Sequence, residues 1–234
     1  MRKWMMGLAA ALLLLAVSGL SLADSEGAIV QSSCSVVPSG EYYLVYCYAQ
    51  IHNNSDKNIC LEQGMFDLRS GDTVIASQDV THIWPSMIAP GEDGYVFDVV
   101  AFEPDENGQP VVPQVTGLEY IMQYMAVEEE FSSLDLFVTS EIERDARGGM
   151  NVVCTVTNET DMEAWNPTIA FGLYTDGGAM VYADGITHFN VCIPAGGTIR
   201  LRFDVDEEIS DQWNTYGANV TEVRAVGSFR DGTD

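Results

Sequence analysis

The second half of this chain repeats the first, and that repetition constrains the fold more than any single motif does. Thr81-His82 is followed sixteen residues later by Phe97-Asp98-Val99, and Thr187-His188, again sixteen residues later, by Phe203-Asp204-Val205. Ala89 and Gly91 match Ala195 and Gly197 in the same frame. Upstream, Asn53-x-Ser55-Asp56 answers to Asn158-x-Thr160-Asp161, and Phe66-x-Leu68 to Phe171-x-Leu173. Downstream, Val115-Thr116 answers to Val220-Thr221. The offset moves between 105 and 106 residues, so small loop insertions separate the matching blocks. A unit that long is a whole domain copied once, not a solenoid repeat.

Within each copy the apolar residues alternate with period two, the mark of half-buried strands. Tyr43, Val45, Cys47, Ala49 and Ile51 share one face, and Val152, Cys154 and Val156 are their counterparts. Similar runs fall at 28–37, 73–80, 94–102, 115–126, 134–143, 149–157, 168–174, 198–205 and 219–229. Turn signals such as Pro38-Ser39-Gly40, Ser70-Gly71-Asp72, Pro90-Gly91 and Thr175-Asp176-Gly177-Gly178 separate them. Only 206–214 reads as a turn or two of helix. Short strands at roughly ten-residue spacing, in copies of about a hundred residues, predict an all-β chain of two β-sandwiches. The expected divisions are a signal peptide over 1–23, one sandwich over 24–127, an acidic linker over 128–133 and a second sandwich over 134–234.

The second copy also carries Val156-Thr157-Asn158, then Phe171-Gly172-Leu173-Tyr174-Thr175-Asp176-Gly177, then Phe203. This pattern resembles the FxLYD-type immunoglobulin-like domains of exported bacterial and archaeal proteins. The first copy departs from it at Phe66-Asp67-Leu68-Arg69-Ser70. The resemblance implies two tandem immunoglobulin-like β-sandwich domains related by internal duplication, and it implies export. It brings no catalytic residues, because it covers core and turn positions.

Export is expected from the N-terminus as well. Arg2 and Lys3 precede an apolar run from Met5 to Val17, and Ser21-Leu22-Ala23 offers a small-x-small cleavage site. The run is short for a membrane span and an acidic segment follows it, so no stable span is expected after cleavage. The chain carries 35 acidic against 10 basic residues, a formal net charge of −25. Loss of Arg2 and Lys3 would make it more negative and leave Lys57 as its one lysine. Such a chain repels nucleic acid and anionic membrane surfaces. Protein or glycan partners remain.

Five cysteines lie beyond the leader. Cys34 and Cys47 are equidistant from Gly40-Glu41, so a hairpin turning there places them opposite each other, within reach of a disulfide. Cys154 and Cys192 belong to the second copy alone and are a second candidate bridge, with Cys60 left over. The alternative is that all five are reduced and buried as small apolar groups.

Motifs that would name a reaction are missing. There is no Gly-x-Ser-x-Gly elbow, His-Glu-x-x-His, Walker loop or Cys-x-x-Cys. His82 and His188 hold matching positions after Thr, which suits a structural role, and the expectation is a protein without enzymatic activity. Asp204, Asp206, Glu207 and Asp211 form an acidic connection that is either a solvated loop or a calcium site, calcium being the one cofactor considered. Tyr42, Tyr46 and Tyr48 lie on the strand face opposite Cys47 and Ala49, a stripe that could stack on sugars or anchor a partner. In the opposite register the same rings would be core. Asn53, Asn158 and Asn219 each begin Asn-x-Ser/Thr; the first two, followed by Asp, read as Asx-turn residues rather than glycan acceptors.

The functional expectation is an exported, non-enzymatic binding or scaffold protein acting outside the cytoplasm through protein partners. The alternative is a calcium- or glycan-binding β-sandwich module. A third reading is a periplasmic chaperone of two immunoglobulin-like domains, which needs basic residues between the domains to hold a carboxylate. Glu128-Glu129-Glu130 stands at that join, with Arg144 and Arg147 as the nearest cations in sequence.

Overall fold

The computed structural model describes residues 19–21, 28–127, 133–145 and 149–230. The chain runs β1 (Gly19–Ser21), β2 (Ala28–Ser39), β3 (Tyr42–Asn53), β4 (Asn58–Ser70), β5 (Thr73–Asp79), β6 (His82–Trp84), β7 (Met87–Ile88), β8 (Asp93–Phe102) and β9 (Gly117–Val127). It continues through β10 (Ser133–Arg144), β11 (Met150–Thr157), β12 (Ala164–Trp165), β13 (Thr168–Thr175), β14 (Met180–Thr187), β15 (Cys192–Ile193), β16 (Thr198–Asp204), α1 (Glu207–Tyr216) and β17 (Val220–Arg230). The fold is all-β, its sheets antiparallel. Most of the expected leader, the Glu128-Glu129-Glu130 join and Arg147 lie outside the described residues. Gly19–Ser21, within the expected leader, pairs with β2.

In the first half, β1-β2-β3-β8-β6 form one sheet, and β5-β4-β7 form another in which β9 also pairs with β4. In the second half the order is β14-β13-β17-β10-β11-β16, with β12 and β15 as a separate pair. Strand β10 serves two neighbours in turn: Ser133 to Leu136 pair with β17, and Phe137 to Arg144 pair with β11. The first core is built on Val45, Cys47, Ala49 and Ile51 from β3, Val96 and Val100 from β8, and Phe66, Leu68 and Tyr120 from β4 and β9. The second gathers Val152, Cys154 and Val156 around Phe171, Leu173, Tyr182 and Trp213. α1 opens at Asp206, whose side chain accepts from the Glu208 backbone N–H at 2.8 Å, and closes at Gly217 in the left-handed region (φ 71°).

The Asn-x-Ser/Thr corners are the same in both halves. Asn53 Nδ2 donates to the carbonyls of Lys57 (2.8 Å) and Ile88 (2.9 Å), and Asn158 Nδ2 to those of Met162 (2.7 Å) and Ile193 (2.9 Å). Each Oδ1 accepts from the backbone N–H and hydroxyl two residues on, at Ser55 and at Thr160. These are Asx turns with no surface left over, since both asparagines are 0% exposed. Neither side chain is open to a glycan.

The structure moves one part of the sequence match by a residue. Gly91 N–H donates to Asn53 O, and the equivalent donor to Asn158 O is Gly196, not Gly197. In the strands, Cys47 faces Asp98 while Val152 faces Phe203. Phe203 therefore takes the position of Asp98 rather than of Phe97. It turns inward against Phe171, with ring centroids 5.0 Å apart, whereas Phe97 turns outward. A one-residue slip inverts the face, so identical Phe-Asp-Val strings do different jobs.

Two strands escape the alternation reading. β4 carries a register shift between Leu61 and Gln63, which breaks its period. β14 begins Met180-Val181-Tyr182-Ala183, buried on both faces and so without alternation.

Candidate functional site

Tyr46 and Tyr48 lie on the side of β3 opposite Cys47 and Ala49, and there Tyr48 is no free ligand platform. It is 0% exposed and belongs to the core of the second half. β14 is the edge strand of its sheet and lies over β2, β3 and β8 of the first half. Tyr48 stacks on Phe97 (5.7 Å) and meets Tyr182 of β14 at 5.3 Å. The Tyr95 and Tyr174 hydroxyls lie 3.3 Å apart across the same seam. Two glycines make room for it. A Cβ at Gly172 would stand 2.6 Å from the Tyr95 ring, and one at Gly185 would stand 2.8 Å from Trp84. Gln212 of α1 adds a polar tie, its Nε2 donating to Val36 O at 3.0 Å. Tyr46 is half-buried beside Phe97, and Tyr42 alone of the three stays exposed.

The cysteine expectation is corrected in part. Gly40-Glu41 is the turn, and Cys34 and Cys47 are directly opposite in the β2–β3 register. They are free thiols, as are Cys60, Cys154 and Cys192. Cys47 Sγ points along its own strand to Val45 O (3.6 Å) instead of across to Cys34, and burial pushes the Cys34 thiol up to about 12. Cys154 sits mid-strand between Ser140 and Leu201, while Cys192 pairs with Trp165 in the small β12–β15 sheet, so no bridge clasps them.

The acidic connection is divided among other duties. Asp206 caps α1, Asp204 lies 3.5 Å from Arg202 Nε, and Glu207 and Asp211 ride exposed on the helix. Among the described residues no group of three or more His, Cys, Asp or Glu is placed to hold a metal ion. The histidines are likewise apart. His52 Nδ1 pairs with Asp93 at 2.9 Å, and His82 Nδ1 meets the Thr81 hydroxyl at 3.0 Å with Asp98 at 3.8 Å. His188 Nε2 is buried with no hydrogen-bond partner among the described residues.

On a different flank of the contact between the halves lies a groove of about 350 Å³. Met87, Glu92 and Asp93 line it from the first half, and Asp135, Phe137 and Val226 from the second. Its wall combines apolar side chains with carboxylates; Glu159 is a fourth acid, and among the described residues no Lys or Arg lines it. Phe137 is 53% exposed at the point where β10 passes from β17 to β11. Glu92 and Asp135, though open to solvent on one side, are both held above the ordinary carboxylate range. For Glu92 the causes are desolvation, then Asp135 and Asp93, opposed by His52; for Asp135 the cause is desolvation. Crowded, partly desolvated carboxylates next to an exposed phenylalanine form a surface suited to a cation with apolar flanks. Sequence reasoning missed it, although one signal was available. Leu134, Leu136 and Val138 alternate with Asp135, Phe137 and Thr139, so Phe137 is a large apolar residue in the polar phase.

No family model matches this chain, and no curated protein matches it. Among solved structures, the chain is similar to a crystal structure of red sea bream transglutaminase at 10% identity and a TM-score of 0.23. The match covers 75% of this chain and 27% of that one, so the chain spans about a quarter of its length. The expectation of a protein without enzymatic activity is contradicted by this match, since the matching structure is that of an enzyme. A TM-score of 0.23 transfers no activity to this chain either. Among the described residues no helix is long and apolar enough to cross a membrane.

Proposed function

We propose that this chain is an exported tandem of two immunoglobulin-like sandwiches, related by duplication, that binds a protein partner at the groove between them. The groove carries the reading. It draws walls from both halves, leaves Phe137 half uncovered and gathers four carboxylates with no Lys or Arg among its described lining residues. Hydrophobic anchors beside polar groups are the usual content of a recognition surface. The matching asparagine corners support the duplication, and the basic start followed by Met5 to Val17 supports export. The aromatic seam supports a fixed geometry in which the groove persists without a partner.

The test is site-specific photo-crosslinking in the source cells. A benzophenone side chain at position 137 is expected to give a covalent adduct with one protein in the extracytoplasmic fraction. The same group at position 207, on the exposed face of α1, is expected to give none. Absence of any adduct at 137, or equal adducts from both positions, would overturn the reading.

A further inference from the structure

From the groove's chemistry we infer that its occupant is a basic segment of a partner protein, an Arg or Lys with an apolar residue beside it; this rests on the reading of the groove as the docking surface. Asp93 is already engaged, its Oδ1 2.9 Å from His52 Nδ1. Glu92 and Asp135 line the groove from opposite halves of the molecule. Bringing the halves together thus gathers like charges, which repel, into one groove, with no Lys or Arg among its described lining residues. A guanidinium or ammonium entering between them would remove that repulsion and form charge-assisted hydrogen bonds. The apolar side of the groove, formed by Met87, Phe137 and Val226, would meanwhile cover an adjoining aliphatic side chain. An acidic or purely apolar segment would satisfy one wall and oppose the other. The volume of about 350 Å³ suits two or three side chains, a short segment rather than a folded face.

Because a net charge of −25 attracts any cation at long range, the experiment must separate the groove from the general field. Fluorescence anisotropy at about 0.15 M salt, where charges beyond roughly 8 Å are screened, would use three labelled octapeptides. These alternate Arg with Leu, Arg with Ser, and Glu with Leu. The Arg-Leu peptide is expected to bind about tenfold tighter than Arg-Ser, and Glu-Leu not at all. Glu92→Gln/Asp135→Asn should weaken the Arg-Leu peptide about tenfold, while Glu207→Gln/Asp211→Asn, with the same change in charge, should alter it less than about twofold. Phe137→Ala, which leaves every charge in place, should reduce the preference for Leu over Ser. Equal weakening by the two charge-matched variants, or equal affinity for Arg-Leu and Arg-Ser, would overturn the inference. A position-137 adduct whose attachment segment carries no Arg or Lys would overturn it too, yet leave partner binding at the groove standing. Loss of that adduct altogether would remove both.

Discussion

The outer face of the β2-β3-β8 sheet and the outer face of β10-β11-β16 occupy matching places in the two halves, yet they were given opposite chemistry. In the first half this face carries Tyr46, Tyr48, Tyr95 and Phe97, and the second half lies on it. In the second half Glu143 of β10 and Asp204 of β16 flank Asn151 of β11, Glu141 and Arg202 flank Val153, and Arg200 stands beside Thr155 on the same face. There Arg200 Nη2 reaches Glu141 at 3.1 Å and Glu143 at 2.8 Å, and the face looks outward. Two similar strand arrangements can thus be told apart by the residues in the non-core phase. Aromatic residues make a face that seeks another domain, and paired charges make one that ends the assembly. Had both faces been aromatic, the second would be an exposed apolar patch inviting further association.

The comparison breaks first at Tyr48. Tyr48→Ala is expected to cost about 3–5 kcal/mol, as for other buried aromatic truncations. It removes a ring touching both Phe97 and Tyr182. The Tyr48 hydroxyl has no hydrogen-bond partner among the described residues, so Tyr48→Phe should stay within about 0.5 kcal/mol of the parent. Urea denaturation reads both. A loss under about 1 kcal/mol for the alanine variant would mean that the seam contributes little and the halves are independent.

Gly185 sharpens the same point from the other side of the seam. A Cβ there would stand 2.8 Å from the Trp84 ring and 2.9 Å from Ala170 Cβ, so Gly185→Ala is expected to cost about 1–3 kcal/mol by overpacking. Gly117 is the reference, since its nearest neighbour would be Arg69 Cβ at an ordinary 3.7 Å, and Gly117→Ala should be neutral or mildly stabilising. Equal thermal shifts for the two variants would place Trp84 away from β14.

What the sequence shows of this arrangement follows from how far each determinant lies along the chain. Alternation located β3, β8, β10, β11, β16 and β17, because a half-buried strand writes its two faces into neighbouring residues. It also assigned Tyr46 and Tyr48 to the face opposite Cys47. What covers that face was illegible. The cover, Tyr182 on β14, belongs to a strand buried on both sides and more than a hundred residues away. The groove was illegible for a related reason. Glu92 and Asp135 come from different halves, and no spacing within either half places them in one groove. The Phe97 and Phe203 match misled because an alignment scores identity, while the pleat scores phase.

Asp184 offers a probe of the seam by pH. Burial holds its carboxyl above the ordinary range, more than the Gly185 N–H (2.7 Å), the Tyr182 hydroxyl (3.4 Å) and the nearby His82 lower it. Its folded pKa therefore exceeds its unfolded one. Stability from this group is fully present below the unfolded carboxylate pKa and is lost as pH rises through the raised folded value. Asp184→Asn should remove that dependence, so its stability relative to the parent should improve as pH rises above about 4, the ordinary carboxylate value. Asp135 and Glu92 are shifted the same way and remain in both proteins, which is why the difference is the reading. A difference that is flat with pH, or of opposite slope, would show that Asp184 is solvated rather than confined beneath the first half.

The smallest effect belongs to the ionic face. Arg202 lies 3.6 Å from Glu143 and 3.5 Å from Asp204, and the side chains of all three are 39% exposed or more. Exposed pairs of this kind contribute about 0–1 kcal/mol each, because water solvates the separated charges nearly as well. Arg202→Ala should therefore cost no more than about 1 kcal/mol. Salt should not be its main determinant. Val153 is buried although it points outward, lying between Arg202 and Glu141 in the register, so the arginine's aliphatic stem covers it. Arg202→Met keeps that cover without the charge and should restore most of the loss, at low and at high ionic strength alike. If Arg202→Met behaves as Arg202→Ala, and the loss fades with added salt, the face is held by its charges. The contrast with the aromatic face would then be one of interaction type rather than of what each face covers.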